Sequence, residues 1–229
     1  MIRVPMSDLT SRDRERELNP AQARYVARVH RLRRGDAFVA FDPSAALECD
    51  AVVVGPRRVA LGEPRPATTV ASRSIAWVHG CPKGDKADAI VRDATELGAT
   101  AVVFAPTARS VARPPASRAS RWQRIAREAA RQCGRGDAPT VELAEGWTKA
   151  LRTAGETRIC LDPRGGSLRE ALSHAQGSLV FAAGPEGGLT DGELDAAQEG
   201  GFTLCRLGTL VLRTETVPAA VLGAASLFL

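Results

Sequence analysis

From Ser74 onward, short apolar runs alternate with helix-length segments, and few folds accept that order. The β-like runs are SIAWVHG, TAVVFAP, TRICLD, SLVFAAG and FTLCRLG. Between them lie KADAIVRDATELGA, ASRWQRIAREAARQC and DGELDAAQEGG, and the chain ends in TVPAAVLGAASLFL. Strands alternating with helices at this pitch predict an α/β domain over residues 73–229, with a mostly parallel sheet covered by helices. In such sheets ligands collect at the carboxyl ends of strands. Two glycine-containing turns, after Ala183 and after Leu207, fall at predicted strand ends and are expected to border one site.

The first 68 residues read differently. NPAQARYVARVHRL sets Ala21, Tyr25, Val26, Val29 and Leu32 at helical spacing, with Asn19 placed to cap the helix and Pro20 at its first position. The runs AFVAFD, ECDAVVVG and RRVALGE that follow suggest a small β-barrel. The proline-punctuated polar stretch EPRPATTVASR, residues 63–73, has the character of a domain linker.

Composition narrows the chemistry. An apolar fraction of 44% and a charged fraction of 25% are ordinary for a folded soluble protein. No apolar run approaches the roughly 20 residues needed to span a bilayer, and the charged N-terminus does not resemble a signal peptide, so a cytoplasmic protein without membrane attachment is expected. The five cysteines are scattered with no C-x-x-C pair, which gives no support to a disulfide framework or a zinc site.

The net charge of +5 is unevenly spread. Residues 109–135 hold eight arginines and one acid, Glu128. In the helix predicted from Ser117 to Cys133, Trp122, Ile125, Ala126, Ala129, Ala130 and Cys133 form one stripe. Arg118, Arg121, Arg124, Arg127, Arg131 and Arg135 lie around the other side, where a phosphate backbone would meet them. Arg121, Arg124 and Arg131 are the expected RNA contacts of this helix.

Common catalytic templates do not fit. GPEGG, Gly184 to Gly188, is not a dinucleotide fingerprint, GCPKGDK lacks the ending of a P-loop, and neither H-E-x-x-H nor G-x-S-x-G occurs. His30, His79 and His174 are far apart in sequence and away from cysteines and acid clusters, so no metal is expected. His79, at a strand end, is only a weak candidate.

AGPEGGLTDGEL, followed about twenty residues later by RLGTLVLRTETVPAAVL, carries the strongest signal. With KGDKADAIVRDATELGA, EAARQCGRGDAP and VHRLRRGD, it resembles the bacterial 16S rRNA uridine-N3 methyltransferases, the RsmE family, over nearly the whole chain. The resemblance implies a SPOUT-type trefoil-knotted methyltransferase domain and a PUA-like β-barrel over residues 1–68. It also implies S-adenosylmethionine as cofactor and 16S rRNA or the small ribosomal subunit, in its decoding region, as substrate. Another SPOUT activity, such as ribose 2′-O methylation, and a non-catalytic RNA-binding relative stay open as alternatives.

Residue roles follow from the same resemblance. Gly184, Pro185, Glu186, Gly187, Gly188, Leu207, Gly208, Leu210, Leu212 and Thr214 are expected at the cofactor, the glycines giving its backbone close approach and the leucines apolar contact. Arg213 is expected to stabilise negative charge on uracil, with Glu215 or Glu186 taking the N3 proton or orienting the loop. Arg3, Arg31, Arg33 and Lys83 join the helix arginines as expected RNA contacts. Thr209 and Leu210 stand where the family has proline and arginine, and Met6 stands where a second N-terminal arginine is common. The C-terminal helix has no charged residue after Glu215, with Thr216 expected to cap it and Pro218 in its first turn. It is expected to be covered by a second subunit in a homodimer.

Overall fold

The computed structural model describes residues 2–10, 14–111 and 113–228. These form two compact units: Met1–Val70 with Arg127–Ala138, and Ala71–Ala126 with Pro139–Leu229.

The first unit contains β1 (Arg3–Pro5), β2 (Glu15–Glu17), α1 (Pro20–Arg24), β3 (Ala37–Asp42), β4 (Leu47–Gly55), β5 (Arg58–Leu61) and β6 (Arg65–Pro66). The strands run β1-β3-β4-β5-β2, with β6 on β4, and only β1 and β3 are parallel. Val4, Leu9, Leu18, Val26, Phe38 and Val59 fill the core. Met6 belongs to it too, 4% exposed. Asn19 starts α1 as expected, with reciprocal side-chain caps between Asn19 and Gln22 and Pro20 in the first turn. The helix then widens into a single π-helical turn, Tyr25–Val29. The short strands β1, β2 and β6 escape sequence reading because two or three residues carry no periodicity.

The second unit contains β7 (Ile75–Gly80), α2 (Lys86–Glu96), β8 (Ala101–Ala105), α3 (Arg118–Cys133), β9 (Thr140–Leu143), α4 (Trp147–Ala150), β10 (Thr157–Ser167), α5 (Leu168–Ser173), β11 (Leu179–Ala183), α6 (Asp191–Glu199), β12 (Thr203–Arg206) and α7 (Val217–Ala225). Its last α3 turns belong to the first unit. The sheet order is β12-β10-β11-β7-β8-β9, and every pairing is parallel. β7 and β11 are buried along their whole length, which is why both read as continuous apolar runs rather than alternating ones. One core gathers Trp77, Ile90, Phe104, Trp122, Phe181 and Leu222; the other gathers Val78, Trp147, Val180, Leu189 and Phe202.

Strand order matters for the site. β11 lies between β7 and β10, and β12 forms the far edge beyond β10. The chain must therefore return from that edge, past the ends of β10 and β11, to reach α7, which packs on α2. Pro218 occupies the first turn of α7 as expected, but Thr216 does not cap it: Thr216 is already helical and its side chain makes no capping bond. No helix of the described residues is long and apolar enough to cross a membrane.

Candidate functional site

The glycine loop begins where β11 ends. Gly188 takes φ +69°, a conformation that side chains with a Cβ rarely adopt. The loop also needs a glycine that was not among the expected site residues: a Cβ on Gly80, at the end of β7, would lie 2.5 Å from Pro185 Cδ and 2.9 Å from Pro185 N. Arg109 clasps the loop from outside, its Nη1 donating to the carbonyls of Gly187 (3.0 Å) and Leu189 (3.2 Å). Thr190 and Glu193 then cap α6 reciprocally, and Glu193 also accepts from the Ala108 amide at 2.7 Å.

The returning segment 207–214 faces this loop across a cavity of about 570 Å³. Gly184, Pro185, Glu186, Gly188, Leu207, Gly208, Leu210, Leu212, Arg213 and Thr214 line it, as do Leu161, Asp162, Arg206 and Lys86. Most of the expected cofactor residues thus come together from two stretches of chain. Gly187 is the exception. It does not line the cavity, and a Cβ there would sit 3.0 Å from Arg109 Cβ, so its small size serves the outer clasp. Gly184 is likewise confined by its own loop, where a Cβ would meet the Gly188 carbonyl carbon and Leu189 Cγ at 2.9 Å.

Thr214 is buried, and its hydroxyl lies 3.1 Å from the Gly184 carbonyl and 2.8 Å from His79 Nε2. His79 is fully buried, and its Nδ1 accepts from the Trp77 indole N–H at 3.0 Å. Burial pushes its pKa down to about 3, against the opposing pull of Glu186, so the ring is neutral.

Lys86 ties the same two segments ionically. Its Nζ is 3.0 Å from Glu186 Oε1 and 3.2 Å from Glu215 Oε2. Its own pKa is raised, chiefly by the hydrogen bond to Glu186. Glu215 is held below the usual carboxylate range by its own backbone amide and then by Lys86. At Glu186 desolvation works in the opposite direction and is outweighed by backbone amides and Lys86. The ion pairs with Lys86 favour the ionised form of both acids and fasten the two segments to one another.

The expected RNA contacts scatter. Arg31, Arg33, Lys83 and Arg124 are exposed. Arg3 instead turns inward, 3.1 Å from the buried Glu48 and over the Phe41 ring. Arg121 is paired with Asp88. Arg131 lies over the Tyr25 ring, 4.3 Å from its centre, and hydrogen-bonds its hydroxyl. The arginine face of α3 is thus partly spent on internal contacts. Arg206, four residues before Leu210, donates to the Gly165 carbonyl at 2.5 Å. His79, Lys86 and Arg109 were not expected in these roles: Lys86 lies within the quoted KGDK motif, but nothing local marks Arg109.

A family model described as an RNA methyltransferase domain matches residues 70–226. The chain is 33% identical over 222 residues to the ribosomal RNA small subunit methyltransferase E of Synechocystis sp., covering 90% of this chain and 71% of that protein. It is 31% identical over 220 residues to the enzyme of that name from Mycobacterium bovis, covering 87% and 81%. Its fold matches a crystal structure of the Neisseria gonorrhoeae ribosomal RNA small subunit methyltransferase E bound to S-adenosyl methionine, with a TM-score of 0.87 and 28% identity, covering 99% of this chain and 97% of that one.

The ionic tie has a pH signature. Because the folded-state pKa values of Glu186 and Glu215 are depressed, the tie's contribution is present above the ordinary glutamate value of about 4.3 and is lost as pH falls through the lowered values. Lys86→Met is expected to melt earlier than the parent protein at neutral pH, with the gap closing in acid. Thermal melts from about pH 7 to about pH 3 check this; a gap independent of pH would exclude a charge origin.

Proposed function

The chain belongs to the ribosomal RNA small subunit methyltransferase E family, and from that premise we propose that it methylates uracil N3 of a uridine in the decoding region of small-subunit ribosomal RNA, with S-adenosylmethionine as donor. The observation that carries this reading is the cavity walled by the glycine loop and segment 207–214, large enough for such a cofactor. The residues present fit the group: Leu161, Leu207 and Leu212 offer apolar surface for an adenine, while loop backbone at Gly184 and Gly188 and the acids Asp162 and Glu186 suit polar and cationic parts. When bound, the cofactor supplies an electrophilic methyl group on a sulfonium. We read the returning path from β12 to α7 as a SPOUT trefoil knot and the first unit as a PUA-like domain, acting in the cytoplasm.

Uracil N3 carries a proton at neutral pH and must lose it, to solvent or to a carboxylate of the cavity, before it attacks the methyl group. That loss puts negative charge on the two carbonyl oxygens, and methyl transfer then removes it. Arg213, exposed on the cavity wall, places a cation where that charge gathers. Lys86 and its two glutamates hold the wall on which Arg213 stands. The exposed Arg31, Arg33, Lys83 and Arg124 bind phosphates.

The working unit in this reading is a homodimer. Leu210 and Val211 are each 81% exposed and Leu227 is 84% exposed, beside a helix with no charged residue. Surface of that kind is normally covered by a partner.

Incubation with labelled cofactor and small-subunit rRNA is expected to give 3-methyluridine on nucleoside mass spectrometry. A 2′-O-methyl nucleoside would redirect the reading to ribose methylation, and no transfer to a non-catalytic RNA-binding protein. Arg213→Ala is expected to lower kcat by about 100-fold with little change in RNA affinity. Reversing Arg31, Arg33 and Arg124 to glutamate should do the converse and flatten the salt dependence of binding; equal losses in both variants would remove the distinction. Sedimentation equilibrium at micromolar concentration is expected to give twice the 24.2 kDa chain mass, and an active monomer would rule the dimer out.

A further inference from the structure

We infer that His79 is a positioning residue for this cavity: through Thr214 it sets the Gly184 carbonyl and pins segment 207–214 in place as the cavity's wall. The inference rests on the cofactor reading above and extends it to a side chain that does not itself line the cavity.

Hydrogen-bond chemistry fixes the direction of the chain. An indole N–H only donates, so the Trp77 contact at 3.0 Å requires His79 Nδ1 to be the bare acceptor. The ring's proton is then on Nε2, and Nε2–H donates to Thr214 Oγ1 at 2.8 Å. With that lone pair engaged, the threonine proton is directed at the Gly184 carbonyl, 3.1 Å away. The order Trp77 to His79 to Thr214 to Gly184 is the one arrangement that satisfies every donor.

Placement gives the chain its leverage. Thr214 is the sole buried residue between Arg206 and Val217, and Gly208 to Val211 are all exposed. The wall therefore has one interior anchor, and that anchor's hydroxyl is oriented by an imidazole. The neighbouring Lys86 ties are partly exposed and weakened by salt, whereas the buried chain is shielded from it. A histidine kept neutral by burial also adds no positive charge beside a cationic cofactor.

Isothermal titration with S-adenosylhomocysteine tests this. His79→Leu and the near-isosteric Thr214→Val are each expected to weaken binding by about tenfold or more, and the double variant should lose little beyond either single one. His79→Gln, whose amide nitrogen reaches the Nε2 position, and Thr214→Ser should recover most of the loss. In turnover assays the cofactor KM should rise more than kcat falls, with the RNA KM unmoved. Nitrogen-15 spectra should show His79 as the neutral Nε2–H tautomer from about pH 5 to pH 8. Should His79→Leu fail to fold, Thr214→Val carries the test. Undiminished affinity in folded Thr214→Val, a His79→Gln variant no better than His79→Leu, or an Nδ1–H tautomer would each overturn the inference. Failure of the unaltered protein to bind the cofactor would instead overturn the cofactor reading, with the tautomer still deciding the hydrogen-bond chain.

Discussion

One buried hydroxyl holds the site together. Thr214 accepts from His79 and lies within bonding distance of the Gly184 carbonyl, so the first turn after β11 and the segment after β12 share an anchor on β7. A hydrogen bond in such a setting contributes only about 1 kcal/mol net, but leaving its buried partners unsatisfied costs more. That asymmetry makes the threonine's position well defined. The cavity depends on it because one of its principal walls begins at Gly184 and the other ends at Thr214.

The parallel sheet supplies the rigid background. With β7 and β11 paired in register from Ile75 and Leu179 through His79 and Ala183, the end of β7 and the glycine loop are brought side by side. Gly80 then has to be a glycine because Pro185 occupies the space where its Cβ would project. Arg109, Glu193 and Lys86 fasten the loops from outside with charge-assisted hydrogen bonds, each linking residues roughly 80 to 130 positions apart. Loops so tied need little reordering when a ligand arrives, which lowers the cost of binding.

The glycines have more than one physical role. Their clustering suggested room for a ligand, and the cavity does border Gly184, Gly188 and Gly208. Yet Gly188 is favoured by its positive φ and Gly184 by the tight folding of its own loop, while Gly187 stands close against the Arg109 side chain. Likewise the arginines of α3 were legible as a basic stripe, but Arg121 and Arg131 have partners in Asp88 and Tyr25. Spacing along a helix gives the face on which a side chain stands and is silent about what is already there.

What the amino-acid sequence determined by itself were the features encoded locally. The alternation of apolar runs and amphipathic helices, the Asn19 cap and the two glycine turns all depend on neighbours within a few residues, and the family motifs are contiguous strings. Tertiary structure alone decided the rest. Strand order placed β11 between β7 and β10, so a histidine at position 79 met a threonine at position 214 across 135 residues of chain. No local pattern encodes that meeting, because a side chain's hydrogen-bond partner in the core is set by which strands lie adjacent, and that order is a property of the packed sheet as a whole.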